Sequence, residues 1–418
     1  MTFFQVRASP RDGTSCTIQK NYLSLYSSIG NRQSLLFAHQ RIAGIPLPLS
    51  MEKNGNRKAS WQRFRFKLNG VSYLPGTEDI HFAGNNGIYT DLQKFLKEWF
   101  DDSPTLTVHT SGSTGTPKML VVRKEQMMNS ARITCEFLQL HPDDKALLCM
   151  PLKYIAGKMM VVRALVAELD LIVREPSGHP LADIHEPLRF AAMIPLQVYN
   201  SLQVAEEKSR LENIETLIIG GGAIDKELAE AILLLPNRIY STYGMTETLS
   251  HIALRRLNGA EATEYYHHFP TVRMTFSPEQ TLVIDAPLVS DERLTTNDVA
   301  DLRPDGSFVI LGRKDNIVNS GGVKIQVESV ENQLRSLIPV PFALTAVPHS
   351  KFGEALTLLI RQDMPDKDRL QCEIAQVLPK YQQPKYILFV DGIPLTETGK
   401  ISRAECKRVA LQKLKIEN

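Results

Sequence analysis

Apolar and polar positions alternate in two rhythms through the middle of the chain, and these rhythms predict interleaved helices and strands. A helix is predicted from Tyr89 to Phe100 because four apolar side chains recur there at the spacing of one helix face: Leu92, Phe95, Leu96 and Trp99. Further helices are predicted at Lys124–Leu138 and Lys226–Leu234. Short apolar runs predict strands at Leu106–Thr110, Phe190–Ile194, Thr216–Ile219 and Arg238–Thr242. This alternation is typical of an α/β fold with a largely parallel sheet.

The pattern becomes β-rich beyond residue 270, where the apolar runs shorten. Strands are predicted at Thr281–Ile284 and Ser307–Leu311, with a turn at Arg303–Gly306 before the second one. The fold class predicted is therefore α/β, with a large N-terminal domain that combines mostly parallel sheets, helices and a β-rich part. We expect this domain to span residues 51–312.

The two ends of the chain are expected to differ from this domain. Residues 1–50 contain one acidic side chain against five basic ones and seven serines, without a sustained apolar period. This segment is interpreted as a poorly ordered extension, or as a non-native stretch read from an upstream start before Met51, in preference to an organelle transit peptide. At the other end, a small α+β domain is expected over residues 313–418, finishing in a Lys-rich amphipathic stretch at Arg403–Lys415.

Composition and charge exclude several kinds of protein. With 43% hydrophobic and 22% charged residues, the chain is typical of soluble globular proteins. Lys and Arg number 48 against 46 Asp and Glu, and the formal charge of +2 gives no general attraction to nucleic acid or anionic lipid. The most apolar long stretch, Leu147–Val173, is interrupted by five charged side chains, so no membrane span is expected.

The cysteines are scattered, without a CxxC pair or histidines at metal-ligand spacing, at Cys16, Cys135, Cys149, Cys372 and Cys406. This pattern argues against a disulfide framework and against a structural zinc site. It favours a reducing, cytoplasmic environment.

A Ser/Gly/Thr-rich segment, TSGSTGTPK, follows one predicted strand and precedes a helical pattern. Glycines let the backbone approach an anion, hydroxyl groups add donors, and a lysine adds positive charge. The segment is not a Walker A motif, because Pro117 stands where that motif has glycine. The alternative is a turn that merely joins strand to helix. The residues assigned to phosphate binding are Thr110, Ser111, Gly112, Ser113, Thr114, Gly115 and Lys118.

Two further segments begin at the ends of predicted strands, where ligands bind in open α/β sheets. The first is a tight glycine run that suits a flat base or a phosphate, made of Gly220, Gly221, Gly222 and Ala223. In the second, Ser241–Thr248, Thr246 can donate to a phosphate and Glu247 can hold a hard cation such as Mg²⁺. The alternatives are a strand-to-helix turn for the first and a helix cap for the second.

Charged residues recur in the last third of the chain. The Asp298 carboxylate can bind the two hydroxyls of a ribose, and Arg313 can reinforce that contact or meet a phosphate. A PLTETGK segment places Lys400 directly after a glycine. Taken singly, a hairpin aspartate and surface charges explain these residues equally well.

In this order, the segments resemble the acyl-adenylating superfamily of acyl-CoA synthetases, peptide-synthetase adenylation domains and firefly-type luciferases. The resemblance covers about Thr105 to Ile401 and rests on TSGSTGTPK, YGMTE, GRKD with a following SGG, and PLTETGK. It implies ATP, Mg²⁺ and coenzyme A as cofactors and cosubstrates, and a small, mobile C-terminal domain. The carboxylic acid, ATP and CoA would be the small-molecule partners, and the sequence is compatible with a homo-oligomer.

The resemblance also implies roles for individual residues. Residues 111–118 would handle the ATP phosphates, and residues 220–223 would line the adenine, with Tyr243 against its face and Gly244 beside it. Thr246 would contact the α-phosphate, Glu247 would bind Mg²⁺, and Asp298 with Arg313 would hold the ribose. The remaining residues implied are Asp315 at the hinge, Gly321 and Gly322 facing the thiol channel, and Lys400 bridging the carboxylate and the α-phosphate.

The identity of the acid is expected to depend on the segment Met150–Arg163, where Tyr154 stands in a position at which the superfamily usually has histidine. Lys153, Lys158 and Arg163 are three cations in an otherwise apolar stretch. They are either solvated charges on a helix face or counter-charges for a second carboxylate on the substrate.

The stretch Tyr243–Ile252 is most similar to the o-succinylbenzoate–CoA ligases of menaquinone biosynthesis, which act on an aromatic diacid. Ser250 and His251 would then lie beside the acyl pocket, although His251 is equally explained as a structural histidine.

One departure from the superfamily leaves alternatives open. Only about 55 residues of globular character precede the phosphate loop, fewer than in full-length relatives. A non-catalytic adenylate-binding protein, a ligase for another acid, and transfer to a carrier-protein thiol therefore remain alternatives. The presence of Lys118, Glu247, Asp298, Arg313 and Lys400 argues against the first.

Overall fold

The structure is a computed structural model that describes residues 61, 64–73, 87–109, 119–364, 367–396 and 400–415. Trp61–Asn418 belongs to one compact unit. The extension expected over residues 1–50 and the predicted phosphate loop over residues 110–118, Lys118 included, lie outside the described residues.

Twenty strands and nine α-helices are found in the described part of the chain. The strands are β1 (Phe66–Leu68), β2 (Val71–Tyr73), β3 (Thr105–His109), β4 (Met119–Arg123), β5 (Lys145–Leu148), β6 (Asp170–Val173), β7 (Leu188–Met193), β8 (Ile214–Ile219), β9 (Arg238–Gly244), β10 (His251–Arg256), β11 (His267–His268), β12 (Arg273–Phe276), β13 (Thr281–Asp285), β14 (Leu294–Leu302), β15 (Phe308–Arg313), β16 (Ile317–Ser320), β17 (Val323–Gln326), β18 (Phe342–His349), β19 (Gly353–Arg361) and β20 (Tyr386–Val390). The helices are α1 (Gly87–Phe100), α2 (Lys124–Leu138), α3 (Ile155–Ala167), α4 (Pro195–Gln203), α5 (Ala205–Glu212), α6 (Lys226–Leu233), α7 (Val327–Leu334), α8 (Lys367–Val377) and α9 (Arg403–Leu414).

The main sheet has nine strands in the order β11-β10-β9-β8-β7-β5-β6-β1-β2. Its central strands, from β9 to β1, run parallel, while β10, β11 and β2 pair antiparallel at the two sides. This arrangement confirms the predicted α/β fold. Parallel neighbours place their carboxyl ends at one edge of the sheet, so the loops after β7, β8 and β9 meet there.

The predicted assignment of Leu106–Thr110 to the parallel sheet is wrong. Residues 105–109 form β3, which pairs with β4 in a separate two-stranded antiparallel sheet, in register from Thr105↔Arg123 to His109↔Met119. The predicted phosphate loop therefore joins two antiparallel strands and does not lead directly into a helix. The prediction fails because residues 119–123 form a short strand, β4, that pairs with β3 before α2 begins at Lys124.

Helices α1 and α2 agree with the spacing of apolar residues in the sequence. On α1 the predicted stripe is buried, and α2 has the predicted bounds. Gln139 ends α2 in the left-handed conformation, at φ 55°, and its N–H group is bonded to the last turn.

The β-rich part forms a four-stranded antiparallel sheet, β12-β13-β14-β15, as the sequence predicts. The turn predicted at Arg303–Gly306 is present, with the Gly306 N–H donating to the Arg303 carbonyl at 3.0 Å.

The last part of the chain builds a five-stranded sheet in the order β17-β16-β19-β18, with β20 parallel to β19. β15 ends at Arg313, and a separate small domain beginning there stays a prediction. Gly321 and Gly322 connect β16 to β17 with φ of 62° and 84°. Two consecutive positive φ values define a type I′ hairpin turn, a conformation that glycine adopts readily.

Within the described residues, we find no helix with the length and apolar character needed to cross a membrane. Cys135, Cys149, Cys372 and Cys406 are all free thiols, whereas Cys16 lies outside the described residues.

Candidate functional site

The candidate site begins at the carboxyl edge of the main sheet. The glycine run starts directly after β8, and the Gly220 N–H donates to the Met193 carbonyl at the end of β7, 3.1 Å away. On the next strand, β9, Gly244 pairs with His251. A Cβ atom at Gly244 would lie 2.2 Å from the Ser250 carbonyl oxygen, so only glycine permits this close approach. The segment after β9 therefore folds tightly back onto β10.

Thr246 and Glu247 lie in this tight segment, on a short 3₁₀ helix, Thr246–Thr248. The Thr248 hydroxyl fixes its path by donating to the Ser250 carbonyl at 2.7 Å. Glu247 is half-buried. No group of three or more metal-ligating side chains occurs among the described residues, and Mg²⁺ in phosphate-transfer sites needs only one or two carboxylates together with the substrate phosphates. The single carboxylate of Glu247 fits that requirement.

Tyr243, Asp298 and Arg313 form one hydrogen-bonded group. The Tyr243 hydroxyl donates to Asp298 Oδ2 at 2.6 Å, and Arg313 Nη1 donates to Asp298 Oδ1 at 3.3 Å. Asp298 and Arg313 occupy paired positions on β14 and β15. Both oxygens of the carboxylate are thereby oriented, and each still has a lone pair for a further donor such as a ribose hydroxyl.

Aromatic packing holds Tyr243 in place. Its ring meets Phe308 edge-on at 5.1 Å and Tyr266 at 5.9 Å between centroids. Burial, together with the charge of Asp298 and the hydrogen bond to it, raises the pKa of Tyr243, so the phenol stays protonated and remains a donor.

Arg313 also holds the predicted hinge residue. Its Nε and Nη2 donate to Asp315 at 2.9 and 3.0 Å, a two-point contact. Burial raises the pKa of Asp315, but the hydrogen bonds and charge of Arg313 outweigh burial and leave that pKa below its usual value. The Arg313–Asp315 contact therefore stabilises the present orientation of the segment after β15.

Lys400 lies in the C-terminal part of the chain. Leu395 and Ile401 pair antiparallel, and the Thr396 N–H donates to the Lys400 carbonyl at 2.7 Å, so the backbone at Lys400 is held beside residues 395–396. Burial and the charge of Arg313 lower the pKa of Lys400, while Asp298 opposes that shift. Asp298 and Arg313 are brought together by a direct contact, whereas a position of Lys400 beside them stays a prediction.

A second group of predicted residues lies around Arg163 on α3. The Arg163 side chain is only 2% exposed, and its Nη2 donates to Ser250 Oγ at 2.6 Å. Ser250 Oγ is also 3.2 Å from Nδ1 of the buried His251. Arg163 has no carboxylate partner within the described part of the chain, and burial lowers its pKa to about 10. A buried guanidinium without a counter-ion is energetically costly.

Lys158 and Tyr154 are placed differently from this group. Lys158 Nζ lies over the Phe95 ring of α1, 5.0 Å from its centroid, and burial lowers its pKa. Tyr154 immediately precedes α3 and forms an isolated parallel bridge with His109 at the end of β3. The structure therefore brings Arg163, Ser250 and His251 together but directs Lys158 toward α1.

Two structural features were not anticipated from the sequence. Thr134 on α2 contacts His251, with 3.1 Å between Thr134 Oγ1 and His251 Nε2. Arg403, three residues after Lys400, donates from Nη2 to Glu331 Oε2 at 2.8 Å. The spacing of apolar residues could have pointed to Glu331. It lies four residues after Val327 and one after Val330, on the buried face of α7.

The chain is similar to known proteins along most of its length. The model of the family described as "AMP-binding enzyme" matches residues 68–284. A 2-succinylbenzoate–CoA ligase from Geobacillus kaustophilus is 30% identical over 375 residues, which cover 80% of this chain and 76% of that protein.

Solved structures are similar as well. An acyl-CoA synthetase (AMP-forming)/AMP-acid ligase II-like protein from Dyadobacter fermentans is 33% identical, with a TM-score of 0.54, covering 80% of this chain and 96% of that one. The o-succinylbenzoate coenzyme A synthetase of Bacillus subtilis, in complex with ATP and magnesium ion, shares the fold at 19% identity, with a TM-score of 0.61 and coverage of 72% and 69%. The match over residues 68–284 and the 30% identity to the Geobacillus kaustophilus protein show that the chain belongs to the AMP-binding enzyme family.

Proposed function

We propose that the protein is an ATP-dependent acid–thiol ligase that adenylates o-succinylbenzoate and transfers the acyl group to CoA, as in menaquinone biosynthesis. The observation that carries the proposal is the hydrogen-bonded Tyr243–Asp298–Arg313 group in a chain of the AMP-binding enzyme family. The similarity to the 2-succinylbenzoate–CoA ligase of Geobacillus kaustophilus supports the acid and the thiol. A cytoplasmic location, favoured by the cysteine pattern, belongs to the same proposal.

The reaction proceeds in two steps. A carboxylate oxygen of the acid attacks the α-phosphorus of ATP, the bond to the β-phosphate oxygen breaks, and pyrophosphate leaves. The CoA sulfur then attacks the acyl carbon, and AMP leaves with the oxygen that came from the acid, while the thiol proton is released. The first step brings two anions together and builds negative charge on the oxygens of the α-phosphate, so preorganised cations lower its barrier.

The residues divide these tasks. Lys400 would lie between the acid and the α-phosphate, Asp298 and Arg313 would hold the ribose, and Thr246 would donate to a phosphate oxygen. Mg²⁺ held by Glu247 would supply positive charge to the phosphates. For the second step, the C-terminal part would turn about Asp315, withdraw Lys400 and bring Gly321 and Gly322 to the thiol.

The choice of a diacid rests on Arg163. A guanidinium that is 2% exposed and lacks a carboxylate among the described residues favours a ligand that brings one. A long fatty acyl chain has no group for this site. The second carboxylate of o-succinylbenzoate would form a charge-assisted pair with Arg163, whereas Lys158 is turned toward α1.

Pyrophosphate release by the purified protein with ATP and Mg²⁺ tests the reaction. The acids compared are o-succinylbenzoate, benzoate, a medium-chain fatty acid and a panel of amino acids, each with CoA, with an acyl-carrier-protein thiol, and with no thiol. We expect release with o-succinylbenzoate and a CoA thioester as product. Release with another acid would reject the substrate, transfer only to the carrier would reject CoA, and no release with any acid would favour a non-catalytic adenylate-binding protein.

Two monoacids test the diacid site separately. One is 3-benzoylpropanoate, which lacks the ring carboxylate, and the other is 2-butanoylbenzoate, which lacks the side-chain carboxylate. We expect Arg163→Met to raise the KM for o-succinylbenzoate about 10- to 100-fold, the range for losing a charged hydrogen bond, and to leave unchanged the KM for whichever monoacid is turned over. Lys158→Met is the matched control, with no change expected.

A further inference from the structure

Arg163 ends a chain of hydrogen bonds that runs through the interior to α2. Arg163 Nη2 is 2.6 Å from Ser250 Oγ, Ser250 Oγ is 3.2 Å from His251 Nδ1, and His251 Nε2 is 3.1 Å from Thr134 Oγ1. Thr134 Oγ1 lies in turn 3.1 Å from the Ser130 carbonyl oxygen. Apart from Ser250, which is half-buried, the side chains of this relay are buried.

The direction of each bond follows from counting protons. A carbonyl oxygen only accepts, so the bond to Ser130 uses the single proton of Thr134. Thr134 must then accept from His251, which places the imidazole proton on Nε2 and leaves Nδ1 as an acceptor. Ser250 in turn donates its proton to Nδ1 and accepts from Arg163.

This arrangement makes four hydrogen bonds. The opposite one, in which Thr134 donates to His251 and His251 Nδ1 donates to Ser250, makes only three and leaves the Ser250 proton unused. The arrangement with one more bond is favoured in a buried site, where an unmade bond is expensive.

His251 can serve in this chain only when neutral, because a protonated imidazole would have no acceptor for Ser250. Burial and the charge of Arg163 lower the pKa of His251 well below its usual value, which keeps the ring neutral. Phe269 packs against the ring at 5.7 Å between centroids and limits its rotation.

We propose that Thr134 and His251 are positioning residues for the acid site, which hold Ser250 Oγ as the acceptor of Arg163 Nη2 and so fix the guanidinium for a substrate carboxylate. With Nη2 engaged by Ser250 and Nη1 near the Met160 sulfur at 3.6 Å, the guanidinium plane is set from two sides. Arg163 Nε is buried and makes no hydrogen bond to any described residue. The proposal rests on the acid site proposed above, and it makes diacid selectivity depend on residues that do not touch the substrate.

Thr134→Val tests the relay, because valine keeps the shape of threonine and removes the hydroxyl. Thr216→Val is the matched control, since Thr216 on β8 is fully buried and its hydroxyl has no hydrogen-bond partner among the described residues. We expect Thr134→Val to raise the KM for o-succinylbenzoate about 3- to 10-fold, the range for losing a neutral hydrogen bond. The kcat, and the KM for whichever of the two monoacids is turned over, should change little. Thr216→Val should change neither constant.

Nitrogen-15 NMR of histidine-labelled protein gives a readout that does not depend on activity. The His251 signals, assigned by their loss in His251→Gln, should show a protonated Nε2 in the wild-type protein and a larger Nδ1–H population in Thr134→Val. A predominant Nδ1–H tautomer in the wild type would overturn the relay. So would an unchanged diacid KM in Thr134→Val together with a raised KM in Arg163→Met, whereas an unchanged KM in Arg163→Met would overturn the acid site and the relay together.

Discussion

The Tyr243 hydroxyl and Asp298 Oδ2 lie 2.6 Å apart, although they belong to two different sheets. Tyr243 lies next to the last residue of β9 in the main sheet, and Asp298 lies on β14 of the four-stranded antiparallel sheet. The ribose site proposed for this enzyme is therefore built across the junction of the two sheets, with Arg313 at the other carboxylate oxygen.

The first prediction concerns this junction. Tyr243→Phe removes one neutral donor and keeps the ring against Phe308, so we expect the KM for ATP to rise about fivefold, the equivalent of roughly 1 kcal/mol. Asp298→Ala, which removes the ribose acceptor itself, should raise it at least tenfold more. Steady-state kinetics at saturating acid provide the test, with the exposed Tyr381→Phe as control. Equal effects of the Tyr243 and Tyr381 variants would contradict this role for Tyr243.

The second prediction is a pH dependence set by Lys400. Only the ammonium form can neutralise charge during adenylation, and burial with the nearby Arg313 lowers the Lys400 pKa. The kcat/KM for adenylation should therefore fall as pH rises, at a lower pH than an ordinary lysine would give. In Lys400→Arg the guanidinium stays charged, and the alkaline decline should move to higher pH even if the maximal rate is lower. An unchanged alkaline limb in that variant would assign the decline to another group.

Much of this architecture can be predicted from the sequence because it depends on local periodicity. The stripe on α1, the bounds of α2 and the strands β7, β8 and β9 follow from apolar spacing, and the residues around Lys400 follow from motifs. The pairing of β3 with β4 could not be predicted in this way, because the nine residues between them resemble a strand-to-helix loop.

Contacts between residues that are far apart in the chain could not be predicted from local sequence patterns either. Arg163 and Ser250 are 87 residues apart in the chain, and which of the charges on α3 faces Ser250 depends on how that helix packs. The five-residue spacing puts Lys158 and Arg163 about 140° apart around the helix, but only the packing of the helix decides which of them faces Ser250. Thr134 has no motif, and only the fold places it against His251.

The third prediction concerns the metal. Glu247→Gln removes the proposed Mg²⁺ ligand but keeps the size of the side chain, so the Mg²⁺ concentration that gives half-maximal adenylation should rise about 10- to 100-fold, the effect typical of weakened metal-site contacts. Titration of Mg²⁺ at fixed ATP measures it, and chelation of the metal should abolish activity in both proteins. The exposed Glu230→Gln on α6 is the control. Identical Mg²⁺ curves for the Glu247 variant and the wild type would exclude Glu247 as a ligand.

The fourth prediction concerns the ion pair between Arg403 and Glu331, which lies shortly after Lys400 in the chain. Arg403 begins α9 and pairs at two points with Glu331, whose side chain is 6% exposed. Arg403→Met leaves that carboxylate buried and unpaired, so the free energy of unfolding should fall by about 3–5 kcal/mol. Denaturant unfolding measures the change.

The double variant Arg403→Met/Glu331→Leu should recover part of this loss, since it removes the stranded charge as well. Arg408→Met, which breaks an exposed pair with Glu405 on the same helix, is the control and should change stability little. A similar loss in both single variants would show that burial of the Arg403–Glu331 pair does not matter.

The most direct test of the account separates the two half-reactions in Lys400→Ala. The first is formation of acyl-adenylate and pyrophosphate from o-succinylbenzoate and ATP, and the second is conversion of synthetic acyl-adenylate to the CoA thioester. We expect the rate of acyl-adenylate formation to fall roughly 10²- to 10³-fold, the usual effect of removing a preorganised charge, and the rate of thioester formation to stay largely intact. The exposed Lys413→Ala should affect neither rate. An equal loss in both half-reactions would contradict the placement of Lys400 at the α-phosphate and with it the central claim.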